Sequence, residues 1–153
     1  MKILILGSDG MLGHKIFSFF VSKHVSVKGT IKEVNLKNEL FVSKYKKNIE
    51  KGFDADNIND FKKLIEKVKP EVAINCIGIV KQLEISNDPV ISISINSLFP
   101  HLIAEICGKN SVKMIHFSTD CVFNGLKGNY REEDFADAND LYGRSKYLGE
   151  VIG

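Results

Sequence analysis

The stretch that decides the fold is KILILGSDGMLG, residues 2–13. Residues 2–6 form a short, largely apolar run, which is typical of a strand buried on both faces. Three glycines follow at intervals of three, and apolar side chains then recur at helical spacing as far as Phe20. Such glycines let the backbone approach a pyrophosphate, whose charge meets the free N–H groups of the helix. The stretch predicts a dinucleotide-binding turn, with an ordinary tight turn before a packed helix as the alternative.

Length and composition are those of a single soluble domain, since 44% of the 153 residues are hydrophobic and 26% are charged. The 21 basic residues are balanced by 19 acidic ones, which argues against a nucleic-acid partner. Cys76, Cys107 and Cys121 contain no CxxC pair, so neither a disulfide framework nor a metal site is predicted, and a cytoplasmic location is expected. We expect no signal peptide, because the chain opens in its first strand, and no membrane partner, because no apolar run approaches ~20 residues.

Strands and helices alternate along the remainder of the chain. Further strands are predicted at residues 24–31, 49–54, 72–78 and 112–117. One helix is predicted between a cap at Asp56 or Asn57 and a stop at Pro70. A second is predicted from Asp88 to about Cys107, with a kink at Pro100 and a stop at Gly108. The last is predicted over residues 141–152. Residues 32–48 are predicted as a loop with a short helix. Residues 119–139 form a long polar loop that is either functional or wrongly assigned.

This alternation predicts the fold class. Strands that alternate with helices imply right-handed crossovers and a parallel sheet. We expect an α/β protein with a Rossmann-like, doubly wound sheet in the strand order 3-2-1-4-5. The ligand should then lie beyond the carboxyl ends of the strands, where the order reverses between the first and fourth strands.

Two polar groups follow the later strands. Ser118-Thr119-Asp120 comes at the end of the fifth strand, and Tyr142 and Lys146 lie four residues apart, on one face of the last helix. A free phenol has a pKa near 10, and a nearby ammonium favours its ionised form. A phenol, an ammonium and the hydroxyl of Thr119 would suit proton transfer to a carbonyl oxygen as a nicotinamide supplies hydride. An exposed pair on an amphipathic helix is the alternative.

Together the three motifs resemble the extended short-chain dehydrogenase/reductase family, most closely its dTDP-4-dehydrorhamnose reductase branch. The branch has a GxxGxxG turn, a Ser-Thr-Asp-x-Val-Phe segment and a Tyr-x-x-x-Lys helix, which here are residues 7–13, 118–123 and 142–146. The resemblance covers essentially the whole chain. It implies NAD(P)H-dependent reduction of a nucleotide-linked 4-keto-6-deoxyhexose in surface-polysaccharide synthesis. The alternatives are an epimerase or dehydratase of the same superfamily, or a non-catalytic module like the regulatory subunit of methionine adenosyltransferase.

The resemblance also implies roles for individual residues. Tyr142 would be the general acid, Lys146 would activate it and hold the nicotinamide ribose, and Thr119 would bind the substrate carbonyl. The pyrophosphate would lie against Gly7, Gly10, Met11, Leu12 and Gly13, the adenine against Asp54 and Ala55, and the adenosine ribose against Asn75, Cys76 and Gly78. Asn96 would order a proton-relay water, and an ordinary helix residue bonded to nearby backbone is an equal alternative for it.

Two features depart from the family pattern. Many NAD-preferring relatives carry an acidic residue at the end of the second strand, but here Thr30 and Lys32 stand there and would tolerate a 2′-phosphate, which favours NADP(H) and leaves a mixed preference with NAD(H) open. Family members are also nearly twice as long. We therefore expect residues 1–153 to be the NAD(P)-binding domain without the substrate domain, and an unpaired edge at the fifth strand that favours homo-oligomers. His14 and His116 are expected to be structural.

Overall fold

The computed structural model describes residues 1–151, which form a five-stranded parallel sheet flanked by helices. The strands are β1 (Lys2–Leu6), β2 (Ser26–Ile31), β3 (Ile49–Lys51), β4 (Val72–Asn75) and β5 (Lys113–His116). The helices are α1 (Met11–Ser22), α2 (Glu39–Lys44), α3 (Ile58–Val68), α4 (Pro89–Ser92), α5 (Phe99–Lys109) and α6 (Leu141–Leu148). The strand order is β3-β2-β1-β4-β5 and every neighbouring pair is parallel, which confirms the predicted Rossmann-like fold.

The central strand β1 supplies the core on both sides of the sheet. Leu4 and Leu6 pack with side chains of α3 and α5 on one face. Ile3 and Ile5 pack with Phe17 of α1 on the other face. All of these side chains are buried, because helices cover both faces, and this explains why the strand has no polar alternation.

The observed ends of β2 and β3 differ from the predicted ones. β2 begins at Ser26 and not at His24, because His24 has a φ of 55° and turns the chain after α1. β3 ends at Lys51 and not at residue 54, because Gly52 has a φ of 77° and breaks the extended backbone. A local change of backbone direction therefore ends each strand before its apolar pattern does.

The ends of β4 and α6 also lie inside the predicted ranges. β4 stops at Asn75 and not at Gly78, because the side-chain oxygen of Asn75 accepts the N–H of Ile77 at 3.0 Å and turns the backbone. α6 ends at Leu148, whereas the prediction extended to Ile152, which lies outside the described residues.

The segment Pro89–Lys109 is one continuous helix whose middle turns are wider than an α-helix. α4 passes into a π-helical segment, Ile93–Leu98, and then into α5. A kink was predicted at Pro100, but α5 runs through this proline near its own start, and the irregular part of the helix is the π-helical segment before it. The helix also continues through Gly108 to Lys109, past the predicted stop.

By length and hydropathy the same helix could cross a membrane, contrary to the sequence expectation. It has 21 residues, and an 18-residue window reaches a mean hydropathy of 1.5. Half of that window is buried in the protein, and Phe99, Ile103 and Ile106 belong to the core beside the sheet. The apolar character of the helix is therefore accounted for by its packing against the sheet.

The long loop predicted between β5 and α6 is irregular apart from a 3-10 turn at Asp120–Val122. Its backbone is held by side chains: Asn124 donates from Nδ2 to Asp137 at 2.7 Å, and Tyr130 donates to Oδ1 of Asn124 at 3.0 Å. The rings of Phe123 and Tyr130 stack at 4.4 Å. These contacts give the loop a defined shape beside the sheet edge where the candidate site lies.

Candidate active site

The glycine turn brings α1 very close to the end of β1. Gly7 has a φ of 74°, and its carbonyl oxygen accepts the N–H of Gly10 at 3.2 Å. A Cβ at Gly13 would lie 2.1 Å from that same oxygen, so no larger residue fits there. A Cβ at Gly10 would instead have Gly7 O, at 3.4 Å, as its nearest neighbour. Gly13 is therefore required by packing, whereas Gly10 leaves space open to solvent.

The N-terminus of α1 fits an anionic group. Gly10 is the N-cap, and among the described residues no side chain caps the helix and no acidic side chain lies in its first turn. Met11 is 94% exposed and Leu12 is also exposed. The first N–H groups of a helix have no intrahelical partner, and the helix dipole adds positive potential there. These uncapped N–H groups suit a diphosphate.

Two side chains hold the turn in place: Ser8, which the sequence analysis missed, and Thr30. Ser8 is fully buried, and its Oγ donates to Thr30 O at 2.9 Å. A Cβ at Gly29 would lie 2.6 Å from this Oγ, so glycine in β2 makes room for the serine. Gly29 was the signal in the sequence that could have predicted this contact, because a glycine inside a strand often marks a close approach of another part of the chain. Thr30, expected near a 2′-phosphate, is buried, and its hydroxyl accepts the N–H of Gly7 at 3.1 Å.

Two cavities lie on either side of the glycine turn. The nicotinamide-side cavity has a volume of about 370 Å³ and the adenosine-side cavity about 320 Å³, and Ile77 and Ile79 line both. The predicted residues that line the nicotinamide-side cavity are Gly10, Met11, Leu12, Asn75, Cys76, Gly78, Tyr142 and Lys146. Asn75, Cys76 and Gly78 were expected against the adenosine ribose, but they line the cavity of Tyr142 and Lys146 and not that of Asp54 and Ala55. Those that line the adenosine-side cavity are Gly7, Thr30, Lys32, Asp54 and Ala55. Of the described residues predicted for the site, Gly13, Asn96 and Thr119 line neither.

Lys146 places its ammonium in the wall of the nicotinamide-side cavity. The residue is 6% exposed, and its Nζ donates to Phe117 O at 2.7 Å. A Cβ at Gly78 would lie 4.0 Å from this Nζ, so glycine keeps the approach to the ammonium open. Burial lowers the pKa of Lys146, and the nearby Glu150 carboxylate acts against this effect. The cation is thus held by backbone and remains next to the cavity.

Tyr142 lines the same cavity one helical turn before Lys146, and α6 is anchored just before it. The carboxylate of Asp140 caps α6 by accepting the N–H of Gly143 at 2.8 Å, and it pairs with Nζ of Lys81 at 2.7 Å. The pKa of Asp140 is lowered, mainly by the hydrogen bond from the backbone N–H of Gly143 and next by the hydrogen bond from Lys81. A Cβ at Gly143 would lie 2.2 Å from Cys121 O, so glycine lets α6 pack against the loop.

Asn96 lies in the π-helical segment and is 1% exposed. Its Oδ1 accepts the N–H of Ile79 at 2.8 Å, and its Nδ2 donates to Ile79 O at 3.0 Å and to Ser145 Oγ at 3.2 Å. The structure therefore supports the alternative of a residue bonded to nearby backbone. Asn96 holds the loop after β4 against α6, and the wide helical turn provides the space for α6.

Three other candidates have structural partners. Thr119 accepts the N–H of Cys121 at 3.2 Å and so caps the 3-10 turn, while its contact with a substrate carbonyl stays a prediction. Burial raises the pKa of Cys76 to about 11, which keeps this cavity-lining thiol neutral. The ring of His14 lies 4.9 Å from that of Phe41, on the surface of α1, in agreement with a structural role.

The sheet order and the glycine turn define a Rossmann-like α/β protein with a candidate dinucleotide site. Residues 1–152 match the family described as RmlD substrate binding domain, and the chain belongs to this family. The match agrees with the short-chain dehydrogenase/reductase branch that the three motifs indicated.

Two curated relatives match nearly the whole chain. The dTDP-4-dehydrorhamnose reductase of Aggregatibacter actinomycetemcomitans is 27% identical over 99% of this chain and 46% of its own length. Methionine adenosyltransferase 2 subunit beta of Xenopus laevis is 26% identical over 97% of this chain and 41% of its own length. The chain thus spans less than half the length of these relatives.

Solved structures share the fold. That of a hypothetical dTDP-4-dehydrorhamnose reductase from Sulfolobus tokodaii is 28% identical with a TM-score of 0.80, and the match covers 97% of this chain and 50% of that one. A dTDP-4-dehydrorhamnose reductase from Bacillus anthracis in complex with NADP has 22% identity and a TM-score of 0.75, and the match covers 97% of this chain and 48% of that one. WbmG of Bordetella bronchiseptica in complex with NAD has 17% identity and a TM-score of 0.83, and the match covers 97% of this chain and 47% of that one.

Proposed function

We propose that this chain is the NAD(P)-binding domain of a cytoplasmic reductase that acts on a nucleotide-linked 4-keto-6-deoxyhexose in surface-polysaccharide synthesis. One observation carries the proposal. A single cavity is lined by the uncapped start of α1, at Gly10, Met11 and Leu12, and by Tyr142 and Lys146. Diphosphate recognition and a phenol–ammonium pair therefore meet in one place, as hydride transfer to a carbonyl requires.

The residues of the cavity suggest how the chemistry proceeds. The N–H groups at the start of α1 bind the diphosphate of the coenzyme, and the walls of the adenosine-side cavity enclose its adenosine. A reduced nicotinamide held in this cavity would supply hydride for the carbonyl carbon of the sugar. The hydroxyl of Tyr142 donates a proton to the carbonyl oxygen, and the ammonium of Lys146 stabilises the resulting phenolate.

The comparisons support the parts of this proposal unequally. Relatives named dTDP-4-dehydrorhamnose reductase support the keto-sugar, and the complexes with NADP and with NAD support a nicotinamide coenzyme.

The test is oxidation of NADH or NADPH in the presence of dTDP-4-keto-6-deoxyhexose by a full-length version that includes the substrate domain. We expect Tyr142→Phe to lower the rate by roughly 10²–10⁴-fold and to leave coenzyme affinity unchanged, because only the proton donor is lost. Tyr147→Phe, which removes an exposed hydroxyl from the same helix, is the matched control. Sugar turnover without net coenzyme oxidation would instead indicate the epimerase or dehydratase alternative.

A second candidate function is a non-catalytic regulatory module. The match to methionine adenosyltransferase 2 subunit beta, which is as long and nearly as similar as the match to the reductase, favours it. Such a module would bind coenzyme without reducing any keto-sugar, and Tyr142→Phe would then change neither binding nor partner affinity.

A further inference from the structure

The adenosine-side cavity is lined by an exposed carboxylate that accepts a hydrogen bond from a buried amide. Asp9, between the first two glycines of the turn, lines this cavity. Nδ2 of Asn38 donates to Oδ2 of Asp9 at 2.9 Å and also to Glu33 O at 2.9 Å. Asn38 is 6% exposed, and its own Oδ1 accepts the N–H of Asn35 at 2.9 Å. A buried amide with every partner in place therefore orients the Asp9 carboxylate.

The charge of the cavity is unfavourable for an added phosphate. Within the described part of the chain, Lys32 is the one basic side chain that lines the cavity, against the carboxylates of Asp9, Asp54 and Asp56. Nζ of Lys32 lies 3.1 Å and 3.2 Å from the two carboxylate oxygens of Asp54. The hydrogen bond between them raises the pKa of Lys32 and lowers that of Asp54, so both stay charged. Lys32, the one cation among the described residues of this cavity, is thus paired with Asp54.

The second residue that favoured NADP(H) in the sequence is engaged as well. Thr30 is fully buried, and its hydroxyl accepts the N–H of Gly7. This hydrogen bond from Gly7 to the Thr30 hydroxyl stabilises the glycine turn. Thr30 is therefore not available to a 2′-phosphate, and Lys32, whose side chain is 67% exposed, would have to exchange its contact with Asp54 to meet one.

We infer that this site selects NAD(H) over NADP(H) and that Asp9 is the residue that determines the preference. The inference rests on the proposed function and names its coenzyme. A carboxylate can accept hydrogen bonds from ribose hydroxyls, whereas it repels the 2′-phosphate of NADP(H), which carries nearly two negative charges at neutral pH. Here the glycine turn supplies a carboxylate to the same cavity that the end of β2 lines.

The test compares dissociation constants for NADH and NADPH, measured by the fluorescence of the reduced nicotinamide. AMP and adenosine 2′,5′-bisphosphate, which differ only in the 2′-phosphate, are titrated as competitors. We expect NADH to bind at least about tenfold more tightly than NADPH, and AMP more tightly than the bisphosphate. One unit charge a few ångströms from a phosphate near the surface produces an effect of this size. The preference should weaken as salt screens the repulsion.

Asp9→Asn isolates the charge. It keeps an oxygen for Asn38 and removes the negative charge, so we expect the NADPH/NADH ratio of dissociation constants to fall about tenfold, through tighter NADPH binding. Glu66→Gln, the same change of charge at an exposed position of α3, is the control and should leave the ratio unchanged.

Equal or tighter binding of NADPH by the unmodified chain, or an unchanged ratio in Asp9→Asn, would overturn the inference and leave the proposed function standing. Failure of both coenzymes to bind would overturn the two together.

Discussion

The side-chain amide of Asn75 donates from Nδ2 to Nδ1 of His116 at 3.1 Å and so joins β4 to β5 beside the nicotinamide-side cavity. The donor and acceptor of this hydrogen bond can be assigned because Oδ1 of Asn75 accepts the N–H of Ile77, which leaves Nδ2 of Asn75 as the donor to His116. Nδ1 of His116 must therefore be the acceptor, and Nε2 carries the proton. Among the described residues this Nε2 is buried without a hydrogen-bond partner. A neutral, structural histidine results.

The first prediction concerns stability in acid. Burial, helped by the Lys146 ammonium, lowers the pKa of His116 from 6.5 to about 4. Between these values the unfolded chain binds more protons than the folded one, so stability is lost as pH falls from 6.5 to 4. His116→Asn, which retains an acceptor for Asn75, should reduce this loss in urea unfolding measured across that range.

His24→Asn is the matched control, because His24 is exposed and asparagine tolerates its positive φ. Its stability should follow the pH dependence of the unmodified chain. Coinciding curves for His116→Asn and the unmodified chain would show that the histidine is accessible to protons in the folded state.

The second prediction separates the two roles of the glycine turn. Gly13→Ala should lower the free energy of unfolding by about 1–3 kcal/mol or more, because its Cβ would overlap the carbonyl of Gly7. Gly10→Ala should unfold like the unmodified chain, since its φ of −72° suits alanine, but should bind coenzyme more weakly because the methyl group projects beside the α1 amides. Urea unfolding and coenzyme titration measure the two effects. Equal coenzyme affinity in Gly10→Ala would contradict the assignment of the diphosphate to this turn.

The third prediction tests the π-helical segment. Asn96→Ala leaves the N–H and C=O of Ile79 without their side-chain partner in a part-buried place, which should cost about 3 kcal/mol of unfolding free energy. Asn59→Ala, at an exposed position of α3, should change stability by less than about 0.5 kcal/mol. A similar small change for Asn96→Ala would mean that the loop after β4 is held by other contacts.

The fourth prediction divides the two functions of Asp140. Asp140→Asn keeps an N-cap oxygen for Gly143 and loses the ion pair with Lys81, and both side chains of that pair are about half exposed, so the loss should be below about 1 kcal/mol. Asp140→Ala loses the cap as well and should cost about 1–2 kcal/mol. Thermal unfolding at low and high salt distinguishes them, and Lys81→Met should match Asp140→Asn. Equal losses for Asn and Ala would contradict the capping role.

Much of the fold could be predicted from the sequence because its signals are local. The buried run of β1, the glycine spacing and the apolar periodicity of α3 each depend on a few neighbouring residues, and they fixed the strand order by general rules of connection. The ends of strands were less predictable. Asn75 ends β4 by bonding its own neighbouring backbone, which a pattern of apolar residues does not reveal.

Some predicted site residues make contacts with distant partners that the local sequence does not indicate. The hydroxyl of Thr30 is engaged by Gly7, 23 positions earlier, and Lys32 is paired with Asp54, 22 positions later. Neither contact can be predicted from the residues next to Thr30 or Lys32 in the sequence. Asn96 was placed correctly on its helix, but its bonds to Ile79 exist because a wider turn of that helix faces the loop, and no spacing rule predicts that turn.

The most direct test of the central claim is an NMR titration of the 17.1 kDa chain with NADH, monitored at the backbone amides. We predict that the amides of Met11 and Leu12 shift most, together with those of Tyr142 and Lys146, because the diphosphate binds the start of α1 in the cavity that the phenol lines. Saturation with NADH that leaves these amides unchanged would contradict the claim.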